Sequence, residues 1–167
     1  MAQTRTLPAD LKLIGFDVDG VFTDGRFYLS DEGVETKAFN TQDGFGIRQL
    51  LNAGIAVAVI SGRRSGAVEK RMAELGVPHV IQGCKDKVGA FDELVAKLGI
   101  SIGQTAFVGD DIPDLPLLRH AAFGIAVANA VAAVKSECDL VTTASGGSGA
   151  VREVCEYVLA NTVAAQQ

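Results

Sequence analysis

The chain is poor in the residues that build disulfide or metal-thiolate frameworks, with three cysteines and two histidines in 167 residues. Cys84, Cys138 and Cys155 are odd in number, widely spaced and without a Cys-x-x-Cys pair. This argues against a disulfide scaffold or a structural zinc site and predicts reduced packing residues. His79 and His120 fall at a predicted strand start and a predicted helix end, where a lone histidine is usually structural. No apolar run approaches the length of a membrane span, and Met1 to Asp10 is polar with no apolar signal core. The expectation is a cytoplasmic protein with no membrane partner. Massed positive charge is missing too: 15 Lys and Arg are scattered among 20 Asp and Glu, for a net charge of −5, so nucleic acid and anionic lipid are not indicated as partners. There is no internal repeat, and low complexity is confined to Ser145 to Gly149. The glycines there precede a helix but lack the Lys-Ser/Thr of a P-loop and the Gly-x-Gly-x-x-Gly spacing, which favours a flexible helix entry over an anion cradle.

An apolar content of 48% with 21% charged residues suits one soluble domain with a sizeable core. Short apolar runs alternate with helical periodicity, the pattern of βα units that build a parallel sheet. Strands are predicted at Leu11 to Phe16, Ile55 to Ile60, Val80 to Gln82, Thr105 to Val108, Gly124 to Val127 and Leu140 to Thr142. Helices are predicted at Gly44 to Asn52, Ser65 to Leu75, Asp86 to Leu98, Pro113 to His120, Ala130 to Ser136 and Gly149 to Ala160, the first three stopped by a glycine just beyond. The fold class is therefore α/β, a three-layer Rossmann-like arrangement around a central parallel sheet. One segment breaks the alternation. Arg26 to Leu29 and Val34 to Phe39 alternate bulky and polar residues around Ser30-Asp31-Glu32-Gly33, which predicts a β-hairpin inserted after the first strand. Its aromatics, Phe27, Tyr28 and Phe39, are read as packing residues rather than substrate stackers.

Ligands of parallel α/β sheets collect beyond the carboxyl ends of the strands, and four chemically apt segments fall there. Asp17-Val-Asp-Gly follows the first strand, Ser61 follows the second, Lys87 opens a helix, and Gly109-Asp-Asp-Ile-Pro-Asp follows the fourth. A phosphate monoester is a dianion, so a carboxylate nucleophile needs a cation to reach it. Mg²⁺ with oxygen ligands fills that need. Asp17 would attack phosphorus, and Asp19, two positions on and expected on the same face, would protonate the leaving oxygen and then deprotonate water. Ser61 and the Gly62 amide can donate to the transferring phosphoryl group, and a lysine, Lys87 or Lys85, supplies positive charge. Asp110 completes the metal site, with Asp111 as ligand or water-mediated partner and Asp114 behind. Taken singly, Asp-x-Asp-Gly could equally be a calcium turn or a solvated loop. Four elements at successive strand ends argue for the catalytic reading.

The order Asp-x-Asp, Ser, Lys, Gly-Asp-Asp-x-x-Asp resembles the haloacid dehalogenase superfamily of aspartate-nucleophile phosphatases, across residues 14 to 114. The resemblance favours Lys87 over Lys85, since it implies a lysine at the start of the helix that precedes the acidic loop. It also implies that Asp19 binds the metal through its backbone carbonyl. The gaps from Asp17 to Ser61 and from Ser61 to Lys87 are too short for a substantial cap domain, so a macromolecular substrate or neighbouring subunits must close the site.

The longer pattern adds Thr41-Gln-Asp-Gly-Phe-Gly-Ile-Arg, Ser61-Gly-Arg-Arg and Gly146-Gly-Ser-Gly-Ala-Val-Arg-Glu. It is similar to the 3-deoxy-D-manno-octulosonate 8-phosphate phosphatase family over about residues 11 to 157. That similarity implies a single capless domain over residues 1–167, Mg²⁺ dependence, a homotetramer joined through its hairpins, and a role in making the sugar acid of the lipopolysaccharide inner core. It makes Arg63 a candidate for the substrate carboxylate or phosphate and Asp43 a candidate contact to hydroxyls. The tail after Tyr157 is short and rich in Ala and Gln, which weakens the case for a lid there. Two alternatives stand: a phosphatase for 2-keto-3-deoxynononate 9-phosphate, and a non-catalytic tetramerisation domain.

Overall fold

The buried apolar runs do form the centre of a sheet. The structure is a computed structural model and describes residues 4–162. Strands β1 (Leu13–Phe16), β4 (Ala56–Ile60), β5 (His79–Ile81), β6 (Thr105–Gly109), β7 (Phe123–Ala126) and β8 (Leu140–Val141) pair in parallel in the spatial order β5-β4-β1-β6-β7-β8. Every residue of β1, β6 and β7 is buried, as expected for strands covered on both faces. The covering helices are α1 (Thr41–Asn52), α2 (Gly66–Leu75), α3 (Lys87–Leu98), α4 (Leu115–His120), α5 (Ala132–Lys135) and α6 (Ala150–Asn161). Helix α1 packs against α6 and α2, and α3 packs against α4, giving one helical layer on each side.

The chain runs outward from β1 to β4 and β5, then returns to lay β6 on the opposite side of β1. This reversal opens a crevice beyond the carboxyl ends of β1 and β6, where such sheets bind ligands. Helix α1 starts three residues earlier than the sequence pattern predicts, because the Asn40 side chain accepts from the Gln42 N–H and caps the first turn.

The hairpin is present as a separate antiparallel pair, β2 (Tyr28–Leu29) and β3 (Glu35–Thr36), with the turn closed by Gly33 N–H donating to Ser30 O at 2.9 Å. Its ladder is shorter than the alternation suggests. Phe39 is not displayed on it but turns back to pack on the main core, leaving Phe27, Tyr28, Leu29 and Val34 as its exposed apolar residues. The three cysteines are unpaired thiols. Among the described residues, no helix is long and apolar enough to cross a membrane. The tail considered as a lid includes residues 163–167, which lie outside the described residues.

Candidate active site

Strand β1 stops at Phe16, so Asp17 and Asp19 stand on a tight loop rather than on the strand. The expected route to their shared orientation, strand alternation, is therefore wrong. The loop is closed by the N–H groups of Val21, Phe22 and Thr23 converging on the Val18 carbonyl, while Asp17 N–H donates to Val108 O of β6 at 3.0 Å. Gly20 adopts φ +84°, and any side chain there would overlap the Asp110 carboxylate. Only glycine lets the two acidic loops approach.

Asp17, Asp19, Ser61, Gly62, Arg63, Lys87, Asp110 and Asp111 line one cleft of about 480 Å³. Lys87, on the first turn of α3 behind the Asp86 cap, places Nζ 3.1 Å from Asp17 Oδ1 and 2.7 Å from Asp114 Oδ1. Lys85 reaches the cleft wall but makes neither contact. Asp114 Oδ2 accepts from the N–H groups of Asp110 and Asp111, so this buried carboxylate braces both the acidic loop and the lysine. The Arg63 N–H donates to Ser61 Oγ at 3.3 Å.

Asp17, Asp110 and Asp114 each offer a carboxylate oxygen within 4.8 Å of the others. Burial, then the charge of Asp114, pushes the Asp17 carboxyl up to about 6 against the opposing pull of Lys87. Burial followed by the charges of Asp17, Asp114 and Asp111 pushes Asp110 up to about 8. For Lys87, burial would lower the ammonium, but Asp17 and Asp114 outweigh it and hold it above its usual range. Three carboxylates thus face one ammonium, an arrangement that a hard divalent cation with oxygen ligands would relieve. Mg²⁺ fits. Because Asp114 already accepts three hydrogen bonds, Asp17 and Asp110 are the carboxylates placed to hold the ion. Asp111, named from the sequence as a ligand or water-mediated partner, lies outside the cluster. It is exposed and its Oδ1 accepts from the Ile112 N–H at 2.8 Å, capping the short 3₁₀ turn Ile112–Asp114.

Asp43 is the predicted site residue that the cleft does not include. It is buried between α1 and α6, where Oδ1 accepts from the Arg152 N–H at 3.0 Å, because the earlier start of α1 turns it toward the α6 N-terminus. The glycines before α6 are not a flexible entry either. Gly146 and Gly147 press against the backbone of Gly20, Thr23 and Asp24, leaving no room for a side chain. Asn129 bridges the two loops, donating to Gly20 O at 2.9 Å and accepting from the Gly146 N–H at 2.7 Å. This loop buttresses the Asp17–Asp19 turn.

A family model for haloacid dehalogenase-like hydrolases matches residues 79–154. A 3-deoxy-D-manno-octulosonate 8-phosphate phosphatase from Escherichia coli is 45% identical over 150 residues, covering 90% of this chain and 80% of that protein. The chain belongs to this phosphatase family. A crystal structure of the family's Moraxella catarrhalis phosphatase in complex with magnesium ion, phosphate ion and KDO superposes with a TM-score of 0.90 at 45% identity, over 95% of both chains. The cobalt-bound phosphatase from Haemophilus influenzae superposes at 0.89 and 38% identity, over 93% of this chain and 91% of that one.

Outside the cleft wall, hairpin residues that the motifs did not single out hold two of its lining residues, Asp19 and Arg63. Lys37 Nζ lies 2.5 Å from Asp19 Oδ1 and 3.2 Å from Glu35 Oε1, and Glu35 Oε2 lies 2.7 Å from an Arg63 nitrogen. The Arg63 guanidinium stacks 4.2 Å over the Phe27 ring. The sequence signal for this was weak, since β3 ends at Thr36 and Lys37 lies just beyond it.

Proposed function

We propose that this chain hydrolyses 3-deoxy-D-manno-octulosonate 8-phosphate to the free sugar acid and inorganic phosphate, a step in making the lipopolysaccharide inner core. The observation that carries the chemistry is the Asp17 carboxylate at the cleft floor, held 3.1 Å from the Lys87 ammonium beside Asp110. Family membership carries the substrate. Asp17 Oδ attacks phosphorus and the bond from phosphorus to the sugar oxygen breaks, while Asp19 gives that oxygen a proton. Asp19 then takes a proton from water, whose oxygen attacks the aspartyl phosphate and releases phosphate with Asp17 restored. Lys87, the Ser61 hydroxyl and the Gly62 amide bind the equatorial oxygens of the phosphoryl group. Mg²⁺, held by Asp17 and Asp110, supplies neutralisation of the combined negative charge of phosphate and carboxylates. Arg63, half exposed at the rim, takes the substrate carboxylate or a phosphate oxygen.

The chain acts as a single capless domain in the cytoplasm, assembled into a homotetramer through its hairpins. The exposed apolar set Phe27, Tyr28, Leu29 and Val34 supports that assembly, since an apolar surface of this kind, standing on a two-stranded ladder, calls for a partner. Purified protein assayed with Mg²⁺ against a panel of sugar phosphates tests the reading. Turnover of the octulosonate 8-phosphate above all others is expected. Preference for 2-keto-3-deoxynononate 9-phosphate would move the substrate, and no turnover of any would leave a tetramerisation module.

A further inference from the structure

Lys37 is the most deeply enclosed cation of the hairpin, with 1% of its side chain exposed. An ammonium so far from water needs anionic partners in fixed geometry, because its desolvation is otherwise uncompensated. It has two: Asp19, from the loop after β1, and Glu35, two residues back in β3. Glu35 is tied onward to Arg63, which rests on Phe27. A continuous chain of contacts therefore runs from the cleft floor to its rim through Asp19, Lys37, Glu35, Arg63 and Phe27, and three of the five come from the hairpin. Lys37 itself is not part of the cleft wall, whereas Asp19 is. Enclosed and off the cleft wall, the ammonium bears on the site through the Asp19 carboxylate that it holds.

We propose that Lys37, braced by Glu35, is a positioning residue that fixes the Asp19 carboxylate for proton transfer to and from the phosphoester oxygen, making the hairpin part of the catalytic apparatus of its own chain. Asp19 stands on a turn, and its side-chain torsions are free to carry the carboxylate away from the scissile oxygen unless something holds it. The strong, charge-assisted contact to Lys37 is that restraint. The inference rests on Asp19 acting as the general acid. It is a second role for a segment whose exposed face is assigned above to assembly.

Leaving-group dependence separates positioning from general structural support. A sugar alkoxide must be protonated as it departs, whereas p-nitrophenolate leaves unaided. kcat/KM isolates the first transfer to Asp17 from the later hydrolysis. General acid catalysis contributes about 10²–10⁴-fold, so Lys37→Met should lower the ratio of kcat/KM for the sugar phosphate to that for p-nitrophenyl phosphate by roughly 10- to 1000-fold. Lys37→Arg, which restores a buried donor and charge, should recover part of it. Asp19→Asn should show the same split, and Lys37→Met added to Asp19→Asn should change the ratio no further, the non-additivity of two residues acting as one unit. Lys37→Gln, which keeps a donor without the charge and leaves the Glu35–Arg63 pair untouched, gives a smaller split in the same direction and serves if Lys37→Met does not fold. An equal loss on both substrates for Lys37→Met or Lys37→Gln, or additive effects in the double variant, overturns the proposal while leaving Asp19 as the acid. If Asp19→Asn itself shows no split, the acid–base reading of Asp19 fails and the proposal fails with it.

Discussion

Replacing Lys87 by methionine tests the electrostatics of the cleft most directly. The ammonium is nearly buried, 2.7 Å from Asp114 and 3.1 Å from Asp17, and methionine matches its length without its charge. Removing one partner of a buried ion pair costs about 3–5 kcal/mol, because the charge left behind is uncompensated. For a chain of this size that corresponds to a fall in Tm of about 6–20 °C. The loss depends on pH in a defined direction. Asp17 and Asp110 have folded-state values of about 6 and about 8, above the usual carboxylate range, so their contribution to stability is present at low pH and is lost as pH rises through those values. Without Lys87 the carboxylates repel one another more, and the protein can escape only by protonating them. In EDTA, urea unfolding of Lys87→Met against the parent should show a large deficit at pH 8 and a smaller one at pH 5. Turnover should fall by about 10²–10³-fold, the usual loss on removing one group that stabilises charge developing in the transition state. Equal stability of variant and parent at both pH values would refute the reasoning, since it would mean that Lys87 compensates no buried charge.

Asp17→Asn should lose roughly 10³-fold or more in kcat with the fold intact, because an amide cannot form the phosphoenzyme; circular dichroism together with trapping of the phosphorylated chain checks this. Mg²⁺ should raise the Tm of the metal-free protein more at pH 8 than at pH 5, since binding requires the deprotonated carboxylates, and an equal rise at both would count against Asp17 and Asp110 as its ligands. EDTA should abolish activity and added Mg²⁺ restore it. Arg63→Ala, removing a charge-assisted hydrogen bond worth about 2–4 kcal/mol, should lower kcat/KM on the sugar-acid phosphate by roughly 30- to 1000-fold. Light scattering should report a tetramer, and Tyr28→Ser with Leu29→Ser should dissociate it; a monomeric parent protein at micromolar concentration would end the hairpin-assembly reading.

Much of the cleft was legible along the chain because its groups are local to strand ends. A buried apolar run followed at once by Asp17-Val-Asp-Gly, by Ser61-Gly-Arg or by Gly109-Asp-Asp announces both the strand and the residue it presents, whatever the other strands do. The strands, the helices and the parallel class follow from the same local periodicity. Local pattern also misled in two places. The first strand ends at Phe16 as predicted, so strand alternation does not extend to Asp19, and the Asn40 cap starts α1 early enough to bury Asp43 against α6.

What the amino-acid sequence determined by itself is therefore the kind of scaffold and the candidate groups that stand at its strand ends. Only the tertiary structure decided which groups meet. The placement of β6 beside β1, set by how the crossovers pack and not by any single segment, brings Asp110 to Asp17 and the Asp114–Lys87 pair beneath them. The inward turn of Phe39, the press of Gly146 on Gly20 and the capture of Asp19 by Lys37 join residues 18 to 126 positions apart. Contacts of that range depend on packing and charge compensation between whole elements, and no local pattern of residues encodes them.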